Sequence, residues 1–111
     1  MARAYKPQQR LKAFTVEPRV IIDNQSSNRF TVIEINGLDR IGLLYDLTEA
    51  LYRLNLNITS AHITTFGEKA IDVFYVTDLT GAKIENATRH RQIENALMSM
   101  LAPPQAAAAM V

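Results

Sequence analysis

Polar and apolar positions along this chain change period several times, and each change marks an element boundary. Arg19–Asp23 (RVIID) is a short β-branched run, and the NQSSN that follows is turn chemistry. Arg29–Ile35 (RFTVIEI) reads as a second strand. From Leu44 the spacing becomes helical, with Leu44, Leu47, Leu51 and Leu54 on one face and Asp46, Glu49 and Arg53 turned elsewhere. Asn55–Asn57 (NLN) ends that helix. Ile58–Phe66 (ITSAHITTF) and Ala70–Thr77 (AIDVFYVT) read as strands joined tightly by GEK, and DLTGAKIEN is a loop. A second amphipathic helix, started near Asn86, carries Ile93, Ala96, Leu97, Met100 and Leu101.

The predicted order is β, β, α, β, β, α. A ferredoxin-like sandwich of the split βαβ kind runs βαββαβ. Here the last strand is missing after the second helix, and an extra strand stands before the first. A hairpin partner from the N-terminal side can fill the same sheet edge. The expected fold is therefore α+β: a permuted ferredoxin-like sandwich, four antiparallel strands with two helices on one face. The domain is expected over 18–101. Residues 1–17 read as a linker or disordered arm. Residues 102–111 (APPQAAAAMV) read as a low-complexity disordered tail, with Pro103-Pro104 stopping the helix before it.

Alternation assigns faces. Thr31, Ile33 and Ile35 in one strand and Ile71, Val73 and Tyr75 in another are uncharged and are expected to face the helices. The other sheet face then shows Phe30, Val32, Phe74 and Val76. That is a large apolar area for an open sheet, so a partner domain or a second copy is expected to cover it.

Composition narrows the function. With 111 residues there is room for one modest core. The apolar fraction of 48% and charged fraction of 21% fit a globular protein. A formal net charge of +1 offers no electrostatic footprint for nucleic acid or an anionic membrane. There is no cysteine, which removes disulfides, thiol catalysis and thiolate metal sites. No apolar run approaches the ~20 residues of a membrane helix. The two histidines, His62 and His90, lie on different elements and form no metal-ligand spacing. Ser60 and His62 share a strand face, but no acid stands by to orient the imidazole.

Chemistry concentrates in GLDRIGLLYDL (Gly37–Leu47), at a strand-to-helix junction. A helix start offers unpaired backbone N–H groups and partial positive charge, where an anion can settle. Asp39 can cap the helix or accept an ammonium group, Arg40 can pair with a carboxylate, and Gly42 lets a ligand approach the backbone. An amino acid carries both charges and suits such a junction. A structural role fits the same residues: Asp39 as N-cap, Arg40 solvated, Gly42 in a tight turn.

DRIGLLYDLTEAL at this junction, followed by NLNITSAHITTFGEKAIDVFYVTDLTGAKI, resembles the ACT domain family. Within it, AHI-T-FGEKA-DVFYVTDLTG resembles the last ACT domain of bacterial bifunctional PII uridylyltransferase/uridylyl-removing enzymes. The resemblance covers about Val20 to Leu101. One departure is Ile41, where the family often has proline. The resemblance implies a regulatory, cytoplasmic domain that binds an amino acid, glutamine first, at an interface with a neighbouring ACT domain or a homodimer partner. The ligand is expected at Asn36, Gly37, Leu38, Asp39, Arg40, Ile41, Gly42 and Leu43. The interface is expected at the partner-facing strand, Asn57, Ile58, Thr59, Ser60 and Ala61, and at Phe74 on the open sheet face. No catalytic residue, metal or cofactor is expected here. The parent enzyme would carry the nucleotidyltransferase and phosphohydrolase domains and their divalent metal, and would act on the PII protein. The alternatives are an ACT module that dimerises or binds protein without a ligand of its own, an RRM-like RNA-binding module using Phe30 and Phe74, and a small stand-alone enzyme. The last finds no nucleophile, metal site or phosphate loop to support it.

Overall fold

The computed structural model describes residues 16–101. Four strands, β1 (Arg19–Asp23), β2 (Thr31–Leu38), β3 (Leu56–Phe66) and β4 (Lys69–Asp78), form one antiparallel sheet in the order β1-β2-β4-β3. Helices α1 (Leu43–Arg53) and α2 (Ala87–Leu101) cover one face. This is the expected permuted sandwich, with β1 on the edge beside β2. The expected tail, and the expected arm apart from residues 16–17, lie outside the described residues.

β1 earns its place through its alternate residues. Val20 pairs with Ile35 and Ile22 with Ile33, and both pack half-buried against the core beside α2. The hairpin after it is held by Asp23, whose carboxylate accepts the Ser26 hydroxyl and the Gln25 N–H (2.7 Å). These hydrogen bonds, the Ser26 hydroxyl foremost, hold the Asp23 carboxyl below the usual aspartate range. Behind the hairpin a small polar network ties β2 to the loop before α2. The buried Thr31 hydroxyl donates to Asn24 Oδ1 (2.7 Å) and accepts the Ile84 N–H (2.9 Å), while Asn24 Nδ2 donates to the Ile84 carbonyl (2.7 Å).

Asn55 stops α1 in the left-handed conformation at φ 64°, and β3 begins at the next residue. Asn86 starts α2 as expected: its Oδ1 accepts the Arg89 N–H at 3.0 Å. Arg89 and His90 at the start of α2 both find acceptors, Arg89 at the Leu54 carbonyl and His90 at the Ile84 carbonyl. Tyr45 and Tyr52 lie exposed on α1.

Two facing expectations are corrected. On α1 the buried face is Leu43, Leu47, Ala50 and Leu51, whereas Leu44 is largely exposed. On β4 the helix-facing set is Ala70, Asp72, Phe74 and Val76, not Ile71, Val73 and Tyr75. The cause is register. Paired residues of antiparallel strands share a face, and Ile33 pairs with Phe74, Ile35 with Asp72 and Thr31 with Val76. Phe74 is therefore fully buried at the centre of the core with Ile33, Ile35, Leu47, Leu51, Ile93 and Leu97, and cannot be an interface residue. The open face instead carries Tyr75, which stacks edge-on against Phe30 (6.3 Å) and His62 (5.6 Å), with Val32, Ile71 and Val73 beside it.

Candidate functional site

The chain leaves β2 at Leu38 and enters α1 at Leu43 through four exposed residues, Asp39, Arg40, Ile41 and Gly42. The turn into the helix is made by Gly42, which takes the N-cap position at φ 82° and ψ −1°. This left-handed geometry disfavours any residue with a Cβ. No side chain caps α1, so Asp39 is not its N-cap. Asp39 instead donates its N–H to the Glu68 carbonyl (2.7 Å), which pins the loop to the β3–β4 turn. Arg40 reaches along the first turn to Asp46, Nη2 to Oδ2 at 2.9 Å, both about two-fifths exposed. Exposed pairs of this kind contribute little to stability.

The first bond inside α1 is donated by Asp46 to the Gly42 carbonyl (2.9 Å), and the Leu43 N–H returns to the Arg40 carbonyl (3.2 Å). The first-turn amides after it, Leu44 and Tyr45, lie ahead of the intrahelical ladder, where a helix leaves its donors unpaired. A Cβ on Gly42 would meet nothing within 4 Å, so there is open space over this turn.

The expected ligand residues divide into two groups. Leu38, Asp39, Arg40, Ile41, Gly42 and Leu43 do come together around the start of α1, with Ile41 fully exposed and Leu43 buried beneath. Asn36 and Gly37 are occupied otherwise. Asn36 is buried and donates to Glu34 (3.0 Å), and a Cβ on Gly37 would stand 3.0 Å from Leu101, so Gly37 is there to let α2 close on the sheet.

Asn57, Ile58, Thr59, Ser60 and Ala61 lie exposed on β3, the free edge of the sheet, with a register shift between Ile58 and Ser60. They sit at the opposite end of β3 from the loop, because Leu56 pairs with Asp78 while Phe66 pairs with Lys69, the partner of Leu38. Within one copy they cannot line the same pocket as Asp39–Gly42. The edge is apolar as well as unpaired, with Ile58, Ile63 and Phe66 exposed on β3 and Leu44 and Ile41 exposed on the adjoining start of α1.

One residue of the neighbourhood escaped the sequence reading. Asp72, on the alternation expected to face away from the helices, is 2% exposed, and its Oδ1 is buried with no hydrogen-bond partner among the described residues. Burial pushes its carboxyl above the usual aspartate range, and the charge of Asp39 adds to the effect. The signal available in the sequence was its place within the apolar AIDVFYV run, which only the pairing with β2 resolves. Among the described residues no group of three or more His, Cys, Asp and Glu could hold a metal ion, and no helix is long and apolar enough to cross a membrane.

Residues 26–102 match the family model described as the ACR family N-terminal ACT domain; β1 lies outside the matched segment. Over 97 residues (87% of this chain), the sequence is 62% identical to the bifunctional uridylyltransferase/uridylyl-removing enzyme of Bradyrhizobium sp. (strain ORS 278). An enzyme of the same name from Nitrobacter hamburgensis is 58% identical over 102 residues, or 92% of this chain. The chain spans only about a tenth of the length of these relatives, 10% and 11%. A crystal structure of an unknown protein from Galdieria sulphuraria superposes with a TM-score of 0.50 at 24% identity, covering 63% of this chain and 37% of that one, a likeness of fold alone. The two-helix antiparallel sandwich, the DRIGLL turn into α1 and a family match across most of the sequence agree: the chain belongs to the ACT domain family.

Proposed function

We propose that this domain senses an amino acid, glutamine first, and regulates a bifunctional PII uridylyltransferase/uridylyl-removing enzyme of which it is one part. The reading is carried by the start of α1, where first-turn amides, the Gly42 turn, Asp39 and Arg40 meet on an open surface. An α-carboxylate suits the amides and the helix dipole, an α-ammonium suits the acids, and the pair of charges suits no simple anion. The relatives' name supports the enzyme context.

The free edge supports a shared site. If two copies, or this domain and a neighbouring ACT domain, pair edge to edge and antiparallel along β3, the first half of one β3 lies against the second half of the other. Asn57–Ala61 of one domain then stand beside Ile63–Phe66 and the α1 start of the other, and two-fold symmetry builds the arrangement twice. Uridylylation and deuridylylation of PII, and the divalent metal they need, belong to domains outside this chain. Their setting is the cytoplasm.

A second reading has its own support: Ile58, Ile63 and Phe66 exposed along an unpaired strand suit a module that only dimerises. Titration calorimetry of the chain against L-glutamine and a panel of other amino acids, with sedimentation to report assembly, separates the two. The sensor gives saturable binding with glutamine preferred. A dimer that takes up none of them, and does not change with glutamine, refutes sensing and leaves the dimerisation module.

A further inference from the structure

The crossover from β2 to β3 carries α1 across β4, so the helix-facing side of β4 lies beneath α1 and the loop that opens it. Asp72 projects from that side, two residues along β4 from Ala70, the partner of Gly37. Its cross-strand neighbours, Ile35 on β2 and Ile63 on β3, bring no charge, and α2 closes this end of the sheet with the apolar Leu101. The loop brings Asp39, a second acid, and its one cation, Arg40, is turned outward to Asp46. His62 stands on the other face of the sheet, paired with Val73. A buried carboxyl oxygen is thus held under the sensing loop without a donor from any surrounding element among the described residues. Native interiors rarely leave such a group without a partner, so a donor is to be looked for here.

We propose that Asp72 receives the ammonium group of the bound amino acid, with Asp39 at the rim of the site; the assignment rests on the sensor reading. A charge-assisted bond to a desolvated carboxylate is stronger than one to an exposed carboxylate such as Asp39. Contact requires the Asp39–Gly42 loop to lift, and that loop is exposed throughout and tied down by the Asp39 N–H to Glu68 bond and the surface Arg40–Asp46 pair. The chemistry is an ion pair, with no bond made or broken except to a proton. Burial favours the protonated carboxyl in the free domain. A cation arriving there favours the carboxylate, so binding at mildly acidic pH releases a proton.

The test is calorimetry of the 111-residue chain against L-glutamine between about pH 5 and pH 8, in buffers of different ionisation enthalpy, for the native protein and Asp72→Asn. Glutaramate, which lacks the ammonium group, is the control ligand. The proposal expects native affinity to rise with pH, with proton release at the acid end that shrinks as the free carboxyl ionises. It expects Asp72→Asn to bind L-glutamine about tenfold or more weakly at neutral pH, without proton release. Glutaramate should bind both proteins equally weakly. Should Asp72→Asn not fold, proton release by the native protein and its preference for glutamine over glutaramate still decide. Native binding with no proton release and an unaffected Asp72→Asn overturns this assignment and leaves the sensor standing. No binding of any amino acid by the native protein overturns the sensor and this assignment together.

Discussion

Replacing Gly42 by alanine isolates the backbone contribution of the turn into α1. Gly42 sits at φ 82°, and a Cβ there meets no atom within 4 Å. Alanine therefore brings no clash, only the left-handed strain of about 1–2 kcal/mol. Against this, alanine stiffens the unfolded chain, a gain of about 0.4–1 kcal/mol where no strain opposes it. The net expectation is a loss of about 1 kcal/mol, or a Tm lower by roughly 4–8 °C for a domain of this size. Asparagine tolerates the left-handed region better, so Gly42→Asn should lose less than Gly42→Ala, although it is the larger side chain. Gly42→Val, β-branched, should lose most. Thermal melts by circular dichroism, with urea unfolding to confirm an unchanged m-value, measure the series. An alanine variant as stable as the native protein, or an asparagine variant less stable than alanine, would show that the chain enters α1 by a different turn. The proposed sensing role adds a second expectation: at a temperature where Gly42→Ala remains folded, glutamine binding should weaken, because relaxation of the turn re-aims the first-turn amides.

Two further outcomes follow from the same geometry. A chain beginning at Asn28 lacks β1, and with it the half-buried Val20 and Ile22, worth ~1.5–3 kcal/mol together if half-burial delivers half of the usual gain. It also bares the edge of β2, and against a typical ~5–15 kcal/mol of stability it should be unfolded or aggregating; a cooperative melt near the native temperature would contradict the role of β1. Asp72 has a folded-state pKa raised above its ordinary 3.8, so it adds stability that is fully present below that value and is lost as pH rises through the folded value. Asp72→Asn should accordingly melt higher than the native protein at neutral pH, with the difference vanishing towards about pH 4, and an advantage that grows on acidification would reverse the sign of the argument.

The sequence by itself determined the element order, the two amphipathic helices and the N-terminal strand as a replacement edge. These are legible because they rest on local period and on turn chemistry: NQSSN between two β-branched runs, Asn86 as an N-cap, Asn55 as a helix stop. It also singled out the junction from Gly37 to Leu47 as the place where acid, base and open backbone coincide, and its DRIGLL turn marked the family. What it could not decide was which face of β4 turns inward. AIDVFYVT is apolar on both alternations, and the single acid, Asp72, argued for the wrong one. Register with β2 decided it, since pairing Ile33 with Phe74 commits every other residue of β4 to the core. The same commitment buried Asp72 under the loop and removed Phe74 from any surface. The tertiary structure also separated residues that adjacency had grouped: Gly37 serves the close approach of Leu101, which lies 64 positions away in the chain, while Gly42 serves the turn. Local sequence encodes period and turn preference. Which side of a two-faced strand meets the helices is a property of its pairing partner, and no window along one strand contains it.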